Sequence, residues 1–296
     1  PEEAIAAVRK RTEFGVYAYG ALPQERFAAS ICNWYKKRYG LTVAPETIRH
    51  SQGLMTGALW MILNAYTRPG DKVLIQAPVY HTFSIVIKGA GRFVESNDLI
   101  LEDGRYEMNF EDLEKKVADP RLRIMLICNP HNPVGRVWTK EELIKVAEIC
   151  KKNNTILVGD EIHGDIVYGE HNHTPLFSLS DDLTDNIVVM GSPSKTFNLA
   201  GLVGSYHIIY NKYLRDRLNK QASLSHYNSP NILSIHALMG AYCKDGLDWV
   251  SELNEVIANN VDFAIDFIHT HFKGIEVIKP EGTYMLYLDC TKYLDT

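Results

Sequence analysis

Three polar clusters in this 296-residue sequence each follow directly on an apolar run. Asn129-Pro130-His131-Asn132-Pro133-Val134-Gly135 follows residues 123–128, Asp160-Glu161-Ile162-His163 follows 155–159, and Ser192-Pro193-Ser194-Lys195-Thr196 follows 187–191. In an open parallel sheet, ligands bind beyond the carboxyl ends of the strands, so three clusters at such ends converge on one crevice. Lys195 is a primary amine flanked by small hydroxyl residues, suited to forming a Schiff base with a carbonyl cofactor. Asp160 ends a buried strand, where a carboxylate needs a cationic partner. A protonated pyridine nitrogen is such a partner, and it makes the ring an electron sink. Asn132 can donate to a phenolic oxygen on the same ring, and His163 lies three residues beyond Asp160. Ser192 and Ser194 can donate to a phosphate, as can the backbone amides of Gly53 and Leu54 where a helix opens after Ser51-Gln52-Gly53. Tyr80, in Pro78-Val79-Tyr80, follows another strand and can stack on a planar ring.

Each of these residues alone has an ordinary explanation. A lone lysine after a strand is usually a solvated surface residue. Asp160 alone could cap a helix, and Asn-Pro-x-Asn-Pro alone is a tight turn. Ser-Pro-Ser is common loop punctuation, and Tyr80, one of 16 tyrosines, could belong to the core. Their order and shared placement at strand ends set them apart.

The elements that must position these residues alternate along the chain. Apolar runs at 72–75, 123–128, 155–159, 187–191, 204–210, 274–278 and 283–288 read as strands. Several are apolar on both faces, as strands covered by helices on both sides must be. Amphipathic stretches at 23–39, 57–66, 110–117, 140–152, 212–224 and 231–243 read as helices. Thr139 and Glu142 have capping-box spacing, and Ser229-Pro230 places a proline just inside a helix start. The alternation predicts a three-layer α/β sandwich with a mostly parallel central sheet and right-handed crossovers. Asp245-Gly246 interrupts the pattern, and 247–272 then reads as one long amphipathic helix. The expected division is a large domain over 1–262 and the beginning of a smaller α+β domain over 263–296.

Composition narrows the class. A net charge of −5 with interspersed signs argues against nucleic acid or an anionic membrane as partner, and 46% hydrophobic residues is too many for a disordered chain. No apolar run approaches the roughly 20 residues a membrane span needs, and no charged-then-apolar leader opens the sequence. Five scattered cysteines, Cys32, Cys128, Cys150, Cys243 and Cys290, indicate buried thiols in a reducing, cytoplasmic setting rather than a disulfide framework. His163, His171 and His173 have no further ligand at tight spacing, so no metal site is expected from them.

Taken together, Asn129 to Gly135, Asp160-Glu161-Ile162-His163 and Ser192 to Leu202 resemble the pyridoxal-phosphate-dependent aminotransferase class I/II superfamily. Within it they are most similar to the MalY/PatB-type cystathionine β-lyases (C–S lyases). The resemblance extends to Trp34, Gly282-Thr283-Tyr284 and Tyr287-Leu288-Asp289-Cys290.

The resemblance implies a fold-type-I domain, pyridoxal 5'-phosphate as cofactor, an amino-acid substrate and a homodimer with shared active sites. Lys195 matches the Schiff-base lysine, Asp160 the partner of the pyridinium nitrogen, Asn132 the donor to the ring oxygen and Tyr80 the stacking aromatic. Ser192 and Ser194 match phosphate contacts. Tyr19 resembles the tyrosine that reaches a neighbouring subunit's phosphate, with Tyr17 as a rival. His163 replaces the tyrosine of most aminotransferases, and this favours the lyase branch. The implied reaction is β-elimination from cystathionine or a related cysteine S-conjugate. Transamination is the alternative, and a non-catalytic regulatory role on the same fold is the alternative outside enzymology. Many members carry an arginine eight residues after the lysine, where this sequence has Val203. The substrate-carboxylate arginine is expected beyond Thr296, and both this residue and an N-terminal arm are expected to be missing. On that expectation the chain alone would be a poor enzyme.

Overall fold

The computed structural model describes residues 1–17, 24–227 and 229–294. The strands are β1 (Ile48–Gln52), β2 (Lys72–Ile75), β3 (Phe93–Ser96), β4 (Ile100–Glu102), β5 (Arg105–Glu107), β6 (Leu122–Cys128), β7 (Ile156–Asp160), β8 (Ile187–Gly191), β9 (Gly204–Ile208), β10 (Glu276–Val277) and β11 (Leu288–Asp289). Seven of them form the central sheet, in the order β1-β9-β8-β7-β6-β2-β3. From β8 to β3 every pairing is parallel, whereas β9 runs antiparallel to both β8 and β1. The carboxyl ends of β6, β7 and β8 therefore lie side by side at one edge.

Side-chain alternation explains the three layers. Met125 and Ile127 of β6 enter one core with Phe27, Ile31 and Trp34 of helix Gln24–Tyr39 and with Leu143 and Val146 of helix Lys140–Lys152. Ile124, Leu126 and Cys128 enter the other, with Met61 and Ile62 of helix Trp60–Tyr66 and with Phe83 and Ile87 of helix Thr82–Gly89. A side chain such as Leu126, buried completely, contributes about 1.5–3 kcal/mol. The capping box forms as the spacing predicts: Thr139 Oγ1 accepts from the Glu142 amide, and Glu142 accepts from the Thr139 amide. The long helix runs over Lys244–His271.

Three sequence expectations are corrected. Pro230 does not sit inside the helix start, because Asn231 is the cap, accepting from the Leu233 amide at 3.0 Å. The run 283–288 is a strand only at Leu288, which opens the two-residue strand Leu288–Asp289; Thr283 is in a left-handed conformation (φ 68°), so the run does not begin extended. Strands β1, β3, β4 and β5 were not expected. β1 carries Arg49, His50, Ser51 and Gln52 and has little apolar signal, while β4 is exposed throughout.

Candidate active site

The strand ends meet as predicted. Lys195, Asp160, His163, Asn132, Tyr80, Ser192, Ser194, Gly53 and Leu54 all line one cavity of about 200 Å³. Tyr19 lies outside the described residues. Its rival Tyr17 is exposed and donates to the Thr12 carbonyl at 3.1 Å.

Asp160, the last residue of β7, is buried. Its Oδ1 accepts from the Ile162 amide at 3.1 Å. Burial pushes the carboxyl up to about 7, and nearby Glu161 adds to the rise, while the Ile162 amide and Lys195 act against it. Such a group is short of a cation. His163 is 1% exposed, and neither of its ring nitrogens has a hydrogen-bond partner among the described residues. Burial, reinforced by Lys195, holds the ring down to about 3, so it is neutral. A buried neutral imidazole without partners is costly unless a ligand supplies them.

Lys195 sits in the helical turn after β8, where the Phe197 amide donates to the Pro193 carbonyl and the Leu199 amide to the Ser194 carbonyl, both at 3.0 Å. Its Nζ makes no ion pair among the described residues and lies 5.9 Å from the centre of the Tyr284 ring. Tyr284, whose ring is 5.2 Å from His163, was not singled out for chemistry from the sequence. A clamp delivers it. The Glu281 and Gly282 amides donate to the Gly135 carbonyl at 2.8 and 3.0 Å, and the Thr283 amide to the Ile166 carbonyl at 2.9 Å.

At the other end of the cavity, Ser192 Oγ donates to the Gly204 carbonyl at 2.6 Å and lies 2.7 Å from Ser194 Oγ. The amide of Gly53 is not available for a phosphate, contrary to the sequence expectation, because it donates to the Val203 carbonyl at 2.7 Å. Leu54, Met55 and Thr56 open the helix before its first internal bond, from the Gly57 amide to the Gly53 carbonyl at 3.2 Å. Their amides are those a helix start leaves free. Gly53 itself has φ 71°, and a Cβ on Gly57 would lie 2.0 Å from the Gln52 carbonyl oxygen, so the turn needs glycine at both positions. Val203 is half exposed at the rim in a left-handed conformation (φ 51°). Met55, Thr56, Cys128, Ile162 and Ala200 complete the lining without having been foreseen.

The three histidines considered together occupy different settings. His163 faces the cavity, His173 Nε2 lies 3.3 Å from Glu161, and His171 is exposed.

The donor set fits pyridoxal phosphate. A buried anion is placed for a ring nitrogen, an unpartnered imidazole and Asn132 for ring substituents, and two hydroxyls with a helix start for a phosphate.

The profile described as Aminotransferase class I and II matches residues 1–296. The chain belongs to this family. Similarity to its members is spread along the whole length. Cystathionine beta-lyase PatB of Bacillus subtilis is 38% identical over 99% of this chain and 75% of its own. Protein MalY of Escherichia coli is 29% identical over 96% of this chain and 72% of its own. The crystal structure of cystalysin from Treponema denticola, which contains a pyridoxal 5'-phosphate cofactor, superposes with a TM-score of 0.94. It is 33% identical, over 100% of this chain and 74% of that one. Aminotransferases also occur among the family members that match.

Proposed function

We propose that this chain is a pyridoxal-phosphate-dependent carbon–sulfur lyase that cleaves cystathionine or a related cysteine S-conjugate to a thiol, pyruvate and ammonia. The observation that carries the reading is one cavity lined by Lys195, buried Asp160 and His163, in which, among the described residues, the amine has no ion pair and the imidazole no hydrogen-bond partner. The relatives named as cystathionine beta-lyases support the choice of reaction.

Bound pyridoxal phosphate supplies an electron sink next to the substrate's α-carbon. Asp160 holds the ring nitrogen protonated, its own carboxyl becoming fully ionised against that cation. Asn132 and His163 orient the ring through its polar substituents, and Tyr80 packs on its face. Ser192, Ser194 and the Leu54 amide hold the phosphate. Lys195 Nζ would hold the cofactor through its amine and would be the base that accepts the substrate's α-proton. The half-exposed ring of Tyr284 stands beside Lys195, its centre 5.9 Å from Nζ.

A lyase releases pyruvate from cystathionine with no keto acid added. Replacing Lys195 with alanine is expected to abolish that release and the visible absorbance of the lysine-bound cofactor; retained elimination would overturn the assignment. Transamination is the second reading, supported by the aminotransferases among the matches. It requires a keto-acid co-substrate, and turnover dependent on one would favour it.

Three further readings belong to this proposal. Residues 1–262 form the cofactor domain, with 263–296 beginning a second. The protein works as a homodimer whose partner contributes Tyr19 to the phosphate. It acts in the cytoplasm, in keeping with five free cysteines.

A further inference from the structure

Behind the cavity, one carboxylate joins the segments that form it. Asp165, two residues past His163, is buried. Its Oδ1 accepts from Tyr39 Oη at 2.9 Å and Trp34 Nε1 at 3.2 Å, and its Oδ2 accepts from Thr196 Oγ1 at 3.2 Å. Arg38 Nε lies 3.7 Å from Oδ1. The Asp165 carbonyl accepts from Asn254 Nδ2 of the long helix at 2.9 Å. From the same helix, Trp249 Nε1 donates to the Thr196 carbonyl at 3.1 Å.

Thr196 is the residue after Lys195, and it is 1% exposed. Its side chain is held by Asp165 and its carbonyl by Trp249, so the residue that follows the lysine is fixed from two sides. Lys195 has no ion pair of its own among the described residues to fix its amine. The point from which its side chain reaches into the cavity is therefore set by the backbone beneath it. In a site where a misplacement of about 1 Å costs about 100-fold in rate, that backbone support is consequential.

We propose that Asp165, acting through Thr196, is the positioning residue that sets where the Lys195 amine sits in the cavity. The inference rests on Lys195 being the reacting amine. It assigns no chemistry to Asp165, which touches neither substrate nor cofactor.

The test uses the isosteric change T196V, which removes only the hydroxyl that Asp165 holds, alongside T196S, which keeps it. In T196V, kcat is expected to fall about 10- to 100-fold with KM within about threefold, a misplacement effect. The rate at which cofactor-free protein takes up pyridoxal phosphate, followed by visible absorbance, should fall about tenfold for the same reason. T196S should retain both rates. D165N should match T196V in kcat, and the double variant should be no worse than D165N alone, because the two residues act as one unit. Wild-type kcat and uptake in T196V would overturn the proposal, as would additive losses in the double variant or a parallel loss of kcat, KM and melting temperature. If D165N does not fold, the T196V and T196S pair still decides. K195A separates the two levels: turnover retained in K195A overturns the role of Lys195 itself, whereas inactive K195A with normal T196V overturns only the positioning role.

Discussion

Two buried polar regions of this chain differ in how far they satisfy themselves. Around Arg136, which is 3% exposed, every charge has a partner: Nη1 lies 2.9 Å from Glu281 Oε2, Nη2 is 2.7 Å from Glu142 Oε1, and Nε donates to the Tyr106 carbonyl at 2.7 Å. Burial pushes the Glu281 carboxyl up, but the Val137 amide, Arg136 and Arg105 together bring it below its ordinary value. The cavity floor is the reverse. Asp160 is held high, His163 has two unpaired nitrogens, and Lys195 makes no ion pair among the described residues. The first region is complete as the protein folds. The second is complete only with a ligand whose charges mirror it, and so burial of polar groups marks a site only where pairing fails.

The comparison can be broken at either end. The largest effect is expected on catalysis: K195A should cost at least about 10²–10⁴-fold in pyruvate release, with the melting temperature of the cofactor-free protein nearly unchanged. R136M should do the opposite. It takes the cation from half-buried Glu142 and leaves half-buried Glu281 with Arg105 alone, which should cost about 1–3 kcal/mol in a denaturant titration. An R136M variant as stable as the parent would remove the distinction between the two regions.

A finer prediction concerns pH. Asp160, raised from 3.8 to about 7, keeps its proton in the folded chain where the unfolded chain has lost it. Its contribution to stability is thus present at low pH and is lost as pH rises through that window. His163, lowered from 6.5 to about 3, acts oppositely: the unfolded chain takes up a proton that the folded chain refuses, so stability falls as pH falls. In the cofactor-free protein, D160N should therefore steepen the rise of stability with pH between about 4 and 6.5, by up to about 1.4 kcal/mol per pH unit. Urea midpoints across that range measure it, and parallel curves for parent and variant would contradict it. The smallest effect is expected from T139A, which removes one cap of the helix that carries Glu142 and should cost about 1 kcal/mol by thermal melting without altering turnover.

The parts of the fold legible in the sequence were those with a strong apolar signature. Strands β6, β7 and β8 are buried almost throughout, and their ends carry the polar clusters directly. β1 was illegible because its residues are mostly polar and it is stabilised by pairing with β9, not by its own pattern. Asp165 and Arg136 were missed for a related reason. Their partners lie far along the chain, Trp34 at a separation of 131 residues and Glu281 at 145, and no local spacing encodes such a pair. Tyr284 lies in an apolar run that reads as a strand, and the bonds that bring it beside Lys195, to the Gly135 and Ile166 carbonyls, join segments more than 100 residues apart. The phosphate end was half legible: the helix start was found, but the engagement of the Gly53 amide by Val203 depends on the neighbouring strand.

That last contact bears on the order of events when the chain first folds. β1 is an edge strand whose one neighbour in the sheet, β9, comes more than 150 residues later, pairing Gln52 with Gly204. The wall of the cavity between Gly53 and Val203 therefore closes only after the five parallel strands have their intervening sequence in place. Such long-range closure is a slow step in folding. Capture of the cofactor is then a late event, and a chain still lacking β9 holds the lysine and the aspartate without a place for the phosphate between them.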